Sequence, residues 1–167
     1  MAEEIKTAKD TASAELLQLV SFKIGSEEYG IDILKVQEIN RMSEITRVPQ
    51  APHFVDGVIN LRGKVIPIIN TRRKFNLEER ENDKDTRIVV VDINGEVIGI
   101  VVDAVSEVLR IPNSIVEPPP NVTVESGADY ITGVARLDDR LLILLELSRL
   151  IGDTVHVMSD QMEKTPA

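Results

Sequence analysis

One hairpin constrains this chain more than any other feature. Residues 86–103 read T-RIVVVDI-NG-EVIGIVV-D, two apolar runs joined by Asn94-Gly95. Asn-Gly suits a type I′ turn, whose twist matches that of the flanking strands. A hairpin on a protein surface alternates apolar and polar residues. Here Val89–Val91 and Ile98–Val102 are apolar on both faces, apart from Gly99. Strands buried on both faces must run between two packing layers, as if joining two small barrels. Composition agrees. The chain of 167 residues holds 20 Val and 19 Ile against 14 Leu and 9 Ala. β-Branched side chains lose χ1 freedom in helices and pack well on pleated sheets.

The rest of the chain reads as short strands. Leu16–Ile24 alternates, with Leu16, Gln18, Val20, Phe22 and Ile24 on one strongly apolar face. Gly25-Ser26-Glu27 turns the chain into a return strand at Tyr29-Gly30-Ile31. Ile33–Ile39 fits one helical turn or a bent strand equally well. Thr46–His53 carries two prolines and reads as loop. Val58–Leu61 and Lys64–Ile69 flank Arg62-Gly63, a hairpin signal. Pairing Leu61 with Lys64 sets Val58 opposite Pro67, where the sheet should end or bulge, because proline cannot donate. Glu78–Asp85 is a charged surface loop. Val105–Ile111 alternates again, and Glu117–Val124 with its three prolines is an extended linker. Tyr130–Arg136 and Arg140–Leu145 form a third hairpin turning at Asp138-Asp139, and Ser148–Ile151 closes a short helix. Nine or ten short strands favour a barrel or a pair of barrels. No fixed internal repeat is visible. Residues 1–14 and 152–167 are poor in apolar residues and are expected to be tails around a folded unit spanning 15–151.

Several kinds of chemistry are excluded or unsupported. Cysteine is absent, which removes disulfides, zinc–thiolate sites, iron–sulfur clusters and thiol catalysis. The net charge of −9 repels phosphate backbones, and two Tyr, three Phe and no Trp leave little for base stacking. His53 sits in a loop and His156 near the end, with no second donor at ligand spacing, so no metal site is expected. Gly57–Val65 superficially resembles a phosphate loop. Five residues separate its glycines instead of four, and Val65 stands where Ser or Thr must bind magnesium. Asp92–Gly95 is explained by the hairpin and lacks the downstream glutamate of a calcium loop. No nucleophile elbow is present. No signal peptide or apolar run of transmembrane length is seen, so a soluble intracellular protein is expected. These absences point to a non-enzyme without a cofactor that binds other proteins. Candidate surfaces are Val36–Asn40 and Gly57–Gly63, with Arg62 at the hairpin tip.

Four blocks resemble one family in order. GVINLRGKVIPIINTRRKF (57–75) resembles the signature region of the CheW-like family, the coupling proteins of bacterial chemotaxis. EEYGIDILKVQEIN (27–40) resembles the segment before it. GEVIGIVVDAVSEVL (95–109) and YITGVARLDDRLLILL (130–145) continue the match. The nearly bare tails suggest a stand-alone module. The resemblance implies a mostly-β fold of two packed five-stranded SH3-like barrels and no catalysis. It implies an adaptor linking the helical-hairpin tip of chemoreceptors to the regulatory domain of the histidine kinase CheA, in the cytoplasm at receptor arrays. It implies no nucleic acid, no membrane insertion and a monomer when free. Carried over by position, the receptor groove takes Val36, Glu38, Gly57, Arg62, Val105 and Val108, with Gly63, Gly99 and Gly133 holding its backbone geometry. The kinase surface is placed at Met42, Ile45 and Val48, and a ring contact between kinase domain and adaptor at Glu117 and Val122. The alternative from another class is a barrel that binds a small ligand or an oligonucleotide.

Overall fold

The computed structural model describes residues 16–120 and 129–151. The expected tails and Val122 lie outside them. Eleven strands are present among the described residues: β1 (Leu16–Ile24), β2 (Glu27–Asp32), β3 (Val36–Arg41), β4 (Val55–Leu61), β5 (Lys64–Asn70), β6 (Arg87–Ile93), β7 (Glu96–Val102), β8 (Ala104–Pro112), β9 (Val116–Glu117), β10 (Ile131–Arg136) and β11 (Leu141–Leu145). Two short helices follow β5 and β11, α1 (Thr71–Lys74) and α2 (Leu147–Ile151). No helix among the described residues is long and apolar enough to cross a membrane.

The strands form two sheets, ordered β8-β1-β2-β11-β10-β9 and β3-β6-β7-β5-β4. The sixth strand of the first sheet, β9, has only two residues, so each sheet is in essence the expected five-stranded unit. In each sheet the two outermost strands are neighbours in the chain. One 3₁₀ turn, Asn113–Ile115, joins β8 to β9. The loop after β3 returns to β4, where Thr46 and Val58 exchange backbone bonds of 2.8 Å. Each sheet thus curls onto its own apolar interior. The first barrel encloses Leu19, Ile111, Ala135, Leu142 and Leu144. The second encloses Ile59, Ile66, Ile68, Ile88 and Val90. The largest core lies between them and gathers residues of both, among them Val20, Phe22, Tyr29, Val89, Val91, Ile98, Ile100 and Leu150.

The doubly apolar hairpin has its predicted place. Ile88 and Val90 point into the second barrel, while Val89 and Val91 point at the first. Both central turns are type I′: φ is 54° at Asn94 and 90° at Gly95, and 52° at Arg62 and 84° at Gly63. The predicted register holds, with Leu61 opposite Lys64 and Val58 opposite Pro67. Pairing of β5 with β7 begins at Ile68, just past the proline, and β4 bulges between Val55 and Gly57. Ile33–Ile39 resolves into both readings, a 3₁₀ turn at Ile33–Lys35 and then β3. One expectation is corrected. β1 does not have a single apolar face, because Leu17 and Leu19 fill the first barrel while Val20, Phe22 and Ile24 face the second.

A second correction concerns repetition. β1–β2–β3 and β6–β7–β8 match 69 positions apart, with identities at Val20/Val89, Ile24/Ile93, Glu27/Glu96, Gly30/Gly99, Ile31/Ile100, Val36/Val105, Glu38/Glu107 and Arg41/Arg110. β4–β5–α1 and β10–β11–α2 match 76 positions apart, through Gly57/Gly133, Val58/Val134, Leu61/Leu137 and Arg73/Arg149. The pairing repeats with them. Ile68 lies beside Gly99 as Leu144 lies beside Gly30. β3 bulges against β6 as β8 bulges against β1. The strand arrangement thus occurs twice along the chain, and each barrel takes its first hairpin from the opposite repeat. The changed spacing and scattered identities hide this in the sequence, whereas strand register preserves it.

Candidate functional site

The barrels share one core, and β3 and β8, each the outermost strand of its sheet, both turn apolar residues toward it. Residues opposite one another across an antiparallel pair share a face. Val36 lies opposite Val91 and Ile39 opposite Val89, both members of the core between the barrels. Val105 lies opposite Phe22 and Val108 opposite Val20, members of the same core. Residues three apart on a regular strand point to opposite faces. The bulge in each strand, at Gln37 and at Ser106, brings both apolar residues onto one face. Val36 and Val105 pack against the shared core, while Ile39 and Val108 remain 41% and 57% exposed where it runs out. The result is an apolar rim made by two strands of different barrels.

Glu38 points to the other face of β3, opposite Val90. Its Oε1 accepts from Asn40 Nδ2 at 2.7 Å and its Oε2 from Arg62 Nη1 at 2.5 Å. Those bonds, Asn40's first, hold the Glu38 carboxyl below its usual range. Arg62 projects from its turn as expected, with its side chain 77% exposed. It is not without a folded-state partner, since it holds Glu38. Among the described residues only Nη1 is engaged, which leaves Nε and Nη2 able to meet a second carboxylate.

The remaining carried-over residues divide differently. Gly57 lies away from the rim, against the loop before β4. With φ at 148°, a Cβ there would meet Thr46 O at 2.1 Å, so this glycine lets the loop close the second barrel. Gly99 faces the interior of that barrel, where a Cβ would strike Ile68 and Ile88. Gly133 sits where β9 crosses β10, against Val116 and the Glu117 carbonyl. Neither shapes the rim. Gly63 has open space around it and serves only the turn. Met42 and Ile45 pack on the second barrel's interior and Val48 on the shared core, so these three anchor their loop. The exposed side chains there are Ser43, Glu44, Thr46 and Arg47. Glu117 pairs with Arg136 at 3.2 Å. Among the described residues no group of three or more His, Asp or Glu side chains could hold a metal ion. Sequence reasoning held Ile39 within the candidate surface Val36–Asn40 but did not count it among the groove residues. Setting V-Q-E-I beside V-S-E-V would have found it as the counterpart of Val108.

Two further clusters fix how the barrels meet. Asp103, where β7 leaves one barrel and β8 enters the other, takes a two-pronged bond from Arg72 at 3.0 and 2.5 Å and the Gly25 amide at 2.8 Å. Burial works to raise its carboxyl, but the Arg72 fork, the Gly25 amide and nearby Arg80 outweigh it and hold the group below its usual range. Phe22, Tyr29, Phe75 and Tyr130 stack in series with centroids 6.2, 5.2 and 5.4 Å apart. Burial first, then Glu27 and Tyr130, push the Tyr29 hydroxyl up to about 12.

Comparison with known proteins gives a single answer. A family model for the CheW-like domain matches residues 18–155. The chemotaxis protein CheW of Klebsiella aerogenes is 39% identical over 165 residues, covering 99% of this chain and 98% of that protein. The protein of the same name from Helicobacter pylori is 38% identical, covering 86% and 87%. The crystal structure of the scaffolding protein TtCheW from Thermoanaerobacter tengcongensis superposes with a TM-score of 0.75 at 38% identity, covering 83% of this chain and 94% of that one. Coverage nearly end to end, at this identity and with a closely superposing fold, makes the chain a member of the CheW-like family of chemotaxis adaptors.

Proposed function

We propose that this chain is a non-catalytic coupling adaptor that holds the helical-hairpin tip of chemoreceptors and the regulatory domain of the histidine kinase CheA in one assembly. It works in the cytoplasm, recruited to receptor arrays. The observation that carries this reading is the rim between the barrels. Val36, Ile39, Val105 and Val108 line it from two outermost strands, and Arg62 projects a guanidinium with two nitrogens to spare. An amphipathic helix laid on such a rim gains affinity from apolar contact. A receptor carboxylate gains direction from the arginine fork, whose geometry lysine cannot copy. The kinase domain meets the opposite end of the second barrel, at the loop that Met42, Ile45 and Val48 anchor. The linker at Glu117 and Val122 supplies the ring contact.

The test is titration of Arg62→Ala and Arg62→Lys against a receptor-tip fragment, with thermal melts alongside. Arg62→Ala should keep its fold and its kinase binding and lose receptor affinity by roughly thirty- to nine-hundred-fold. Arg62→Lys should recover part of that loss. Wild-type receptor affinity in a folded Arg62→Ala protein would remove this hairpin from the receptor site. A second test is stoichiometry, because an adaptor acts only while bound. Stimulation of CheA should saturate near a fixed ratio, and full stimulation by trace amounts would refute the reading.

A further inference from the structure

We propose that the apolar cavity at the start of β1 is the seat of the chain segment that precedes it, residues 9–14, which folds back over the crossing from the first barrel to the second. The cavity measures about 190 Å³ and is lined by Leu16, Leu17, Leu19, Ile33 and Leu34, together with Gln18 and Asp32. Leu17 and Leu19 belong to the first barrel's interior, and Ile33 packs on the shared core. Asp32 Oδ1 accepts from the Leu34 amide at 2.9 Å and fixes the turn that presents Leu34. That leucine stands almost fully exposed, and Leu16 is exposed beside the same space.

The other repeat shows what belongs there. Counting 69 positions on, Leu17, Asp32 and Leu34 correspond to Thr86, Val101 and Asp103. Those three also line one cavity, at the crossing from the second barrel to the first, and it measures only about 20 Å³. There the segment that precedes β6 lies on the crossing. Arg80, Glu81 and Asn82 line the space, Arg80 reaches Asp103 at 3.6 Å, and Arg72 holds the Glu78 carbonyl at 2.8 Å. Residues 9–14 stand in the same relation to β1, and their chemistry changes in step with that of the seat. Where the charged crossing has Asp103 and Thr86, the apolar one has Leu34 and Leu17. Where the segment before β6 has Arg80, Glu81 and Asp83, the segment before β1 has Thr11, Ala12 and Ala14. A charged side chain in the apolar cavity would lose its water without gaining a partner. Alanine removes apolar surface from water on both sides of the contact. No spanning linker is needed, since Leu16, two positions after Ala14, is itself part of the lining. Composition alone reads residues 1–14 as a tail, and the repeat gives part of them a place.

Trypsin cleavage after Lys9 in the full chain tests this, with a free peptide of residues 1–15 as the reference for the same bond. Cleavage in the chain should be about fivefold slower than in the peptide, because the bond is cut only while the segment is off its seat. Leu34→Asp, which sets a charge beside the cavity, should return the rate to that of the peptide. Val65→Asp, at an exposed valine of the second barrel, should leave the protection intact. Circular dichroism melts check that both variants are folded, and Leu34→Ser replaces Leu34→Asp if the aspartate disturbs the turn. Cleavage at the peptide's rate in the unsubstituted chain overturns the proposal, and so does protection that a folded Leu34→Asp chain retains. Protection that grows with protein concentration gives the cavity to a second copy. A Leu34→Asp chain that is cut faster after Lys164 and not after Lys9 gives it to the C-terminal segment. Either result overturns the assignment to residues 9–14.

Discussion

At the mouth of the first barrel Arg140 uses Nε, Nη1 and Nη2 on three carboxylates, while at the mouth of the second Arg62 uses one nitrogen on one. The strands beneath are counterparts, and Glu107 and Glu38 occupy equivalent positions. The difference comes from Glu28, a buried carboxylate whose counterpart in the other repeat is Val97. With Glu28 present, the arginine is drawn inward and satisfied. Arg62, whose own counterpart is Asp138, has no buried carboxylate to draw it inward and stays 77% exposed. One barrel uses a hairpin arginine to hold itself together, and the other carries its hairpin arginine at a non-equivalent position, largely exposed.

The largest expected contrast is between the paired bulge glycines. Gly57→Ala forces a Cβ into a backbone carbonyl at a positive φ and should cost about 3–5 kcal/mol, strain and overlap together. Gly133→Ala meets a movable Val116 methyl first and should cost about 1–3 kcal/mol. Urea melts of the two variants measure the gap, and equal losses would mean that the two closures are equivalent after all.

Next come the two crossings between barrels, where Asp103 and Leu34 are counterparts. Leu34 is 87% exposed and Asp103 is locked by Arg72. Asp103→Ala should cost about 2–4 kcal/mol, because it strands a mostly buried guanidinium. Leu34→Ala should stay within about 0.5 kcal/mol. The carboxyl of Asp103 is held below its unfolded value, so its contribution is present above the ordinary aspartate range. It is lost as pH falls through the lower folded value. Acid melts should show a decline that is shallower in Asp103→Asn.

The arginines themselves should separate in thermal stability. Arg140→Ala leaves Glu28 buried without its partner and should lower the melting temperature clearly. Arg62→Ala should shift it by no more than about 1 °C, as expected of an exposed ion pair. A larger shift in Arg62→Ala would show that the hairpin braces the second barrel.

The smallest effect concerns Tyr29, whose counterpart Ile98 cannot ionise. Its hydroxyl titrates near 12 when folded and near 10 when not. Stability from this group is full below about pH 10 and declines as pH rises toward 12. Tyr29→Phe should remove that part of the alkaline loss, read by fluorescence melts between pH 9 and 12.

The sequence by itself determined most of the strands, the three hairpins with their turns, and the need for two packing layers. These follow from local chemistry: alternation, Asn-Gly and Arg-Gly at positive φ, and a hairpin with no polar face. It also proposed Val36, Glu38, Arg62, Val105 and Val108 as members of a receptor surface, through resemblance. What it could not supply was pairing between distant segments. Only the tertiary structure put β1 beside β8 and β3 beside β6, and so revealed the exchanged hairpins, the bulges that turn Ile39 and Val108 onto one face, and the bond between Glu38 and Arg62. It also moved Gly99 and Gly133 from the rim to the barrel interiors. Side-chain direction depends on register, and a slip of one residue reverses every face. Register between strands far apart in the chain is set by the packed cores as a whole, not by any run of neighbouring residues.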